Sequence, residues 1–205
     1  NLMADAINDG LQKRLGDQAP QAVMVHSGGI RADIPANQTL TRLDIANVVM
    51  NAGKREGEAK ELVKVTLTGQ QVKDALEYGL RERATTKPVS LSEKLKSLFS
   101  GGQSELVDEP GNFVQTSGLR YAFDVSKPGL TPQGGGQRIV DLQIRNSQGV
   151  FEAVKPDQTY TIATRFHPVD KWNKYNIFGQ GKTIEQVHQE INAMPLEYSQ
   201  VDLIG

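Results

Sequence analysis

The chain has 205 residues, of which 38% are hydrophobic, so it can bury a core and is not compositionally disordered. Its 23 Lys+Arg and 24 Asp+Glu give a net charge of −1, which excludes the global basic field that recruits nucleic acid or an anionic membrane surface. It contains no cysteine, which excludes disulfides and thiolate metal sites, and no apolar run approaches the ~20 residues of a membrane span.

The chain starts at Asn1, inside what reads as a helix, without an initiator methionine, and is read as a fragment or processed form. Residues 1–16 are predicted to form an amphipathic helix. Leu2, Met3, Ala6, Ile7, Leu11 and Leu15 recur at spacings of three and four, and Gly16 is its terminator. Ala22–Val25 reads as a short buried strand. It runs into His26-Ser27-Gly28-Gly29-Ile30-Arg31. There the glycine pair permits positive φ and close approach of a ligand to the main chain, and Arg31 offers a rigid fork of donors for phosphate or carboxylate. Taken by itself, the same pattern is more often a tight turn with a solvated arginine.

Ile34–Gln38 reads as a turn, Leu43–Met50 as a short helix entering a strand, and 51–61 as a charged loop. Leu62–Thr68 alternates as a half-buried strand that Gly69 ends. Gln70–Arg83 is predicted to be helical, with Val72, Ala75, Leu76 and Leu80 on one face. Residues 84–112 read as an insertion, in which Ser90–Glu93 is a capping box opening a helix through Phe99. Residues 113–124 are strand-like around Gly118, and 127–137 form a Pro/Gly loop. Ile139–Arg145 is a strand, with Asn146–Gly149 as the hairpin turn to Val150-Phe151. Tyr160–Thr164 is another strand, Phe166–Phe178 an aromatic-rich loop, and Thr183–Met194 a closing helix with its own capping box. Interleaved strands and helices plus a hairpin predict one α+β domain, a mixed α/β sheet with layered helices.

Chemistry-bearing residues form no complete catalytic set. His26, His167 and His188 lack metal-ligand spacing, no serine lies in a G-x-S-x-G elbow, and Gly134–Gly136 opens no helix. Parts of a binding site are present. Arg31 follows one glycine turn, and Arg120 follows a second at Ser117-Gly118-Leu119. Phe166, Trp172, Tyr175 and Phe178 are interleaved with Asp170, Asn173 and Asn176, which suits a planar, hydroxyl-bearing ligand such as a nucleoside. Each aromatic taken singly reads equally as a core residue.

Five short motifs occur in one order: Asn1–Ala6, Ser27–Pro35, Leu67-Thr68-Gly69, Gly111–Tyr121 and Tyr160–Thr164. Together they resemble the C-terminal domain of the 5'-nucleotidase family, which includes ecto-5'-nucleotidase, UDP-sugar hydrolase and 2',3'-cyclic phosphodiesterase. The resemblance covers nearly the whole chain. It implies a mixed α/β substrate-binding domain working against an upstream metallophosphoesterase domain. That other domain would carry two divalent metal ions and the catalytic residues. This chain would hold no catalytic residue, metal or cofactor of its own, and the fragment would be inactive by itself.

In the family the base stacks between two phenylalanines and arginines face the phosphate. Arg31 matches the arginine of the family's N-G-G-G-I-R turn, Gly28 and Gly29 match its last two glycines, and Phe166 matches the first stacking phenylalanine. Arg120 matches an arginine common in bacterial members. The departures are as specific. His26 stands in place of the family's asparagine, and no phenylalanine lies near Met50–Gly53. Lys171-Trp172-Asn173-Lys174 replaces the Gly-Gly-Asp-Gly-Tyr signature, with Tyr175 and Phe178 as anchors. The ribose-binding aspartate then falls at Asn173, or at Asp170 if the loop is re-threaded, and Trp172 becomes the substitute stacking surface.

The expectation is the substrate-binding half of a periplasmic, extracellular or cell-surface phosphoester hydrolase. It would act on nucleotides or other small phosphate esters by metal-activated water attack. Its partners would be the ligand and the upstream domain, without nucleic acid or a membrane span. The alternatives are a binding or adhesion domain that keeps the fold without nucleotide recognition, and a relative acting on a non-nucleotide substrate.

Overall fold

The computed structural model describes residues 1–34, 39–49, 62–81, 112–198 and 200–204. The expectations for 51–61, for the helix at 90–99 and for most of the 34–38 turn and the 84–112 insertion lie outside these residues. In chain order the elements begin with α1 (Leu2–Leu15), β1 (Ala22–His26), α2 (Arg42–Val48), β2 (Leu62–Thr68) and α3 (Gly69–Leu80). Next come β3 (Val114–Ser117), β4 (Leu119–Phe123), β5 (Ile139–Arg145), β6 (Phe151–Ala153) and β7 (Thr159–Arg165). The last are α4 (Phe166–Asn173), α5 (Ile184–Glu190), β8 (Met194–Pro195) and α6 (Gln200–Ile204).

One five-stranded sheet has the order β3-β1-β7-β2-β8, and a second has the order β4-β5-β6. β1 and β7 are parallel and every other pairing is antiparallel, so the mixed sheet predicted from the hairpin is present. Alternation along β1 splits the core between the two faces of the sheet. Val23 and Val25 face α1 and α6, where they pack with Ile7, Leu11 and Leu203. Ala22 and Met24 face the larger cluster with Leu76 of α3 and Trp172 of α4. At Gly10 of α1, an added Cβ would stand 2.4 Å from the Leu203 carbonyl oxygen, so the absence of a side chain lets α6 lie against α1.

Several predicted boundaries shift, each for a local reason. Leu2 is 65% exposed, because the buried stripe of α1 runs through Met3, Ala4, Ile7, Asn8 and Leu11. Gly69 begins α3 rather than merely ending β2. Thr68 caps the helix, accepting from the Gln71 N–H while Gln71 reaches back to the Thr68 N–H. The strand-like run 113–124 is two strands in different sheets. Gly118, at φ 76°, turns the chain between them, and a Cβ there would meet the Gln21 carbonyl oxygen at 2.5 Å. The aromatic run after β7 is not a loop at its start but α4, and the closing segment is α5 followed by the short strand β8.

A buried polar tie joins α3 to the second sheet. Glu77 accepts from the Ile139 N–H at 2.6 Å, and buried Arg138 donates to the Lys127 carbonyl at 3.1 Å and to the Leu80 carbonyl.

Candidate functional site

Parallel pairing puts the carboxyl ends of β1 and β7 at one edge of the large sheet. Other segments reach the same edge. β3 starts there, with Val114 opposite His26, and β2 starts there, with Leu62 opposite Arg165. β2 ends at the far edge, so α3 runs back and delivers Tyr78 and Arg81 to the near one. Open α/β sheets bind ligands at such carboxyl ends, where chain turns rather than side-chain layers close the fold.

At the end of β1, Ser27–Gly29 form a single 3-10 turn. The Ser27 N–H donates to the Phe113 carbonyl at 2.8 Å and the Ile30 N–H to the Ser27 carbonyl at 2.9 Å. The Arg31 N–H donates to the Val48 carbonyl at 2.7 Å, and the Arg31 side chain is exposed. The glycine pair does not use the positive φ that the sequence allowed. Close approach is what the structure requires at Gly29, where an added Cβ would lie 3.1 Å from Nη1 of Arg165. The Arg165 guanidinium therefore rests against the turn that carries Arg31.

His26 is half-buried, and both ring nitrogens are shielded from solvent without a hydrogen-bond partner among the described residues. Its ring lies 6.1 Å from that of Trp172. Burial pushes the imidazole down to about 3, reinforced by the positive charges of Lys171, His167, Arg165 and Arg81. His26 is thus neutral at physiological pH, with one N–H donor and one acceptor. His167 is also held below its ordinary value, by desolvation first and Lys171 next, with Asp170 opposing.

Arg81 is fixed between two rings. Its guanidinium lies 4.0 Å from the Tyr78 ring centre and 5.4 Å from that of Tyr175. Nε donates to the Tyr175 hydroxyl at 3.1 Å and Nη1 to the Tyr78 carbonyl at 2.9 Å. The two rings meet edge to face at 4.8 Å.

The residues singled out from sequence divide sharply. His26, Gly28, Gly29 and Arg31 stand on this edge, and Phe166 opens α4 beside it, its side chain lying outside the described atoms. Trp172 is 0% exposed in the main core, so it offers no face to a ligand in this structure, contrary to its expected role as a stacking surface. Asp170 faces His188, with its carboxylate 3.4 Å from Nε2, and Asn173 donates to the Lys182 carbonyl at 3.1 Å. Both tie α4 to the segment that follows it. Tyr175 is occupied by Arg81. Arg120 is not brought to Arg31. It follows Gly118, which packs on Gln21 and Ala22 at the opposite end of β1, and its guanidinium stacks on Phe151 at 3.8 Å. Among the described residues, no three His, Cys, Asp or Glu side chains could together hold a metal ion.

Arg81, Arg165 and Lys171 were missed. The only local signal was for Arg165, as the last residue of an alternating strand. No periodicity in the sequence places the end of α3 beside the end of β7.

The family model "5'-nucleotidase, C-terminal domain" matches residues 1–180. The trifunctional nucleotide phosphoesterase YfkN of Bacillus subtilis is 27% identical over 194 residues, which is 92% of this chain and 11% of that protein. The NADP isocitrate dehydrogenase of Rickettsia typhi is 29% identical over 136 residues, 64% of this chain and 25% of that protein. A 5'-nucleotidase precursor from Thermus thermophilus superposes with a TM-score of 0.63 at 22% identity, covering 100% of this chain and 31% of that one. The chain thus spans a small part of the longer proteins it matches, and at that identity the structural likeness speaks for the fold. The matched model, the motif order and the mixed-sheet architecture agree: the chain belongs to the family of 5'-nucleotidase C-terminal domains.

Proposed function

We propose that this chain is the substrate-binding domain of a metal-dependent phosphoester hydrolase that acts on nucleotides or related small phosphate esters. Its catalytic domain lies upstream in the full-length protein. The observation that carries the reading is the exposed Arg31 turn at the carboxyl ends of β1 and β7, backed by the cations of Arg165, Lys171 and Arg81. A local positive field on a chain of net charge −1 favours an anionic ligand at that edge. The relatives from Bacillus and Thermus, a nucleotide phosphoesterase and a 5'-nucleotidase precursor, support the class, and a periplasmic or extracellular location goes with that reading.

The reading assigns the two divalent ions to the upstream domain. This chain's part is to hold the ligand. Arg31 receives the phosphate, and the α4 region faces the leaving group.

One observation favours a second reading, a binding domain without nucleotide recognition. Trp172 is buried, and the Asn173 amide is spent on the Lys182 carbonyl. Calorimetric titration of the 205-residue chain with AMP, UDP-glucose and adenosine separates the two. The first reading expects the phosphate-bearing ligands to bind more tightly than adenosine, and Arg31→Ala to weaken them at least about tenfold. A folded chain that binds none of the three sinks it and leaves the second.

A further inference from the structure

We propose that a polar cleft at the start of β1, at the opposite end of the sheet from Arg31, binds a short peptide with free termini. Asp17 holds the peptide's ammonium group and Arg145 its carboxylate. The site is independent of the reading above, because none of its residues stands at the edge that carries Arg31.

The cleft has a volume of about 740 Å³ and lies where three segments of the chain meet. The end of α1 supplies Gln12, and the turn after it supplies Asp17. The lead into β1 supplies Gln21, and the end of β5 with its hairpin turn supplies Arg145, Asn146 and Ser147. β1 and β7 run parallel away from this end, so the length of the sheet separates the cleft from the Arg31 turn. Its volume lies within the ~300–1,000 Å³ of sites that enclose a small ligand.

Charge defines the two ends of the ligand. Asp17 and Arg145 line one cleft without closing on each other, and among the described residues neither side chain is paired elsewhere. The cations near Asp17 are committed: Lys13 pairs with Asp9 at 2.6 Å, and Lys64 Nζ donates to the Gln18 carbonyl at 2.8 Å. The last carbonyls of α1 add the negative end of a helix dipole on the Asp17 side, which favours an ammonium group there. Both charged residues are exposed, so water screens them and affinity rests also on what lies between.

Three side-chain amides lie between, each fixed through one atom and open at the other. Gln12 Nε2 donates to the Pro20 carbonyl at 3.2 Å, which leaves Oε1 as an acceptor. Gln21 Oε1 accepts from the Thr161 N–H at 3.0 Å, which leaves Nε2 as a donor. Asn146 Oδ1 accepts from the Gln148 and Val150 N–H groups, each at 3.0 Å, which leaves Nδ2 as a donor. Amides held in this way match the N–H and C=O groups of an extended peptide, and their orientation is set before the ligand arrives. No aromatic side chain lines the cleft among the described residues, so a sugar ring or a base finds no stacking surface there.

The test is calorimetric titration of the 205-residue chain with trialanine, N-acetyl-trialanine, trialanine amide and maltotriose. Trialanine is expected to bind, and to lose about tenfold in affinity when either end is blocked. Asp17→Asn should cost trialanine as much as acetylation does and cost the acetylated peptide nothing further. Arg145→Gln should stand in the same relation to the C-terminal amide. Circular dichroism checks that both variants are folded. Nitrogen-15 signals of the Gln12, Gln21 and Asn146 side-chain amides report the site directly, and trialanine should shift all three.

No heat with trialanine and unmoved amide signals overturn the proposal. So does trialanine binding that neither the blocked ends nor the two variants weaken. Maltotriose shifting the three amides where trialanine does not would also overturn it, in favour of a sugar.

Discussion

Acidification isolates the environment of His26. The imidazole titrates at about 3 in the folded chain against 6.5 in its ordinary state. A histidine with a depressed folded value binds its proton more readily when unfolded, so stability is complete above the unfolded value and falls as pH drops below it. At pH 5 the unfolded chain gains about 2 kcal/mol from this one group relative to pH 8, and the loss grows until the pH nears the folded value. Urea unfolding at pH 8, 7, 6 and 5, compared with the same series for His26→Gln, measures it. The wild type should lose about 2 kcal/mol more than the variant across that range. His167, also depressed, acts in the same direction, and Asp74, raised mainly by desolvation, acts in the opposite one. Both are present in wild type and variant and cancel in the comparison. Parallel stability curves for the two proteins would refute the buried, cation-ringed placement of His26.

Other substitutions probe the scaffold that positions the edge. Gly118→Ala sets a Cβ 2.5 Å from a backbone oxygen at a φ of 76°, and should cost more than about 2 kcal/mol in thermal unfolding. A melting temperature equal to wild type would contradict the sharp crossing between β3 and β4. Thr68→Ala removes the α3 cap and should cost about 1 kcal/mol in urea titration, without changing the far-UV spectrum of the folded state. The single tryptophan, Trp172, is fully buried, so native emission should be blue-shifted and resist acrylamide quenching. Trp172→Ala should cost about 3–5 kcal/mol. Emission typical of a hydrated indole would place the residue outside the core and restore it as a ligand surface.

Much of the fold could be read locally. The alternation of Leu62–Thr68 and Ile139–Arg145 gives β2 and β5 with the bounds they have in the structure, and the three- and four-residue spacing in the first sixteen residues gives α1 within a residue. These patterns are short-range, since a strand face or a helix stripe is defined by residues two to four apart. The order of the family's motifs likewise carried the assignment of the chain. The candidate edge was legible only in part. Arg31 and the glycine turn stand out because turn chemistry is local. Trp172 is ambiguous in the sequence because an aromatic among polar residues has the same signature at a ligand surface and in a core.

What the sequence by itself determined is the run of α1, β1, β2, α3, β5 and β7, the mixed-sheet class and the turn that presents Arg31. Tertiary structure alone decided which cations stand beside it. His26 and Arg165 are brought together by the parallel pairing of β1 with β7, and Arg81 by the return of α3 from the far edge of the sheet. Those are contacts between segments far apart in the chain, fixed by strand order and by burial of both sheet faces. Neither leaves a periodic trace around the residues it brings together.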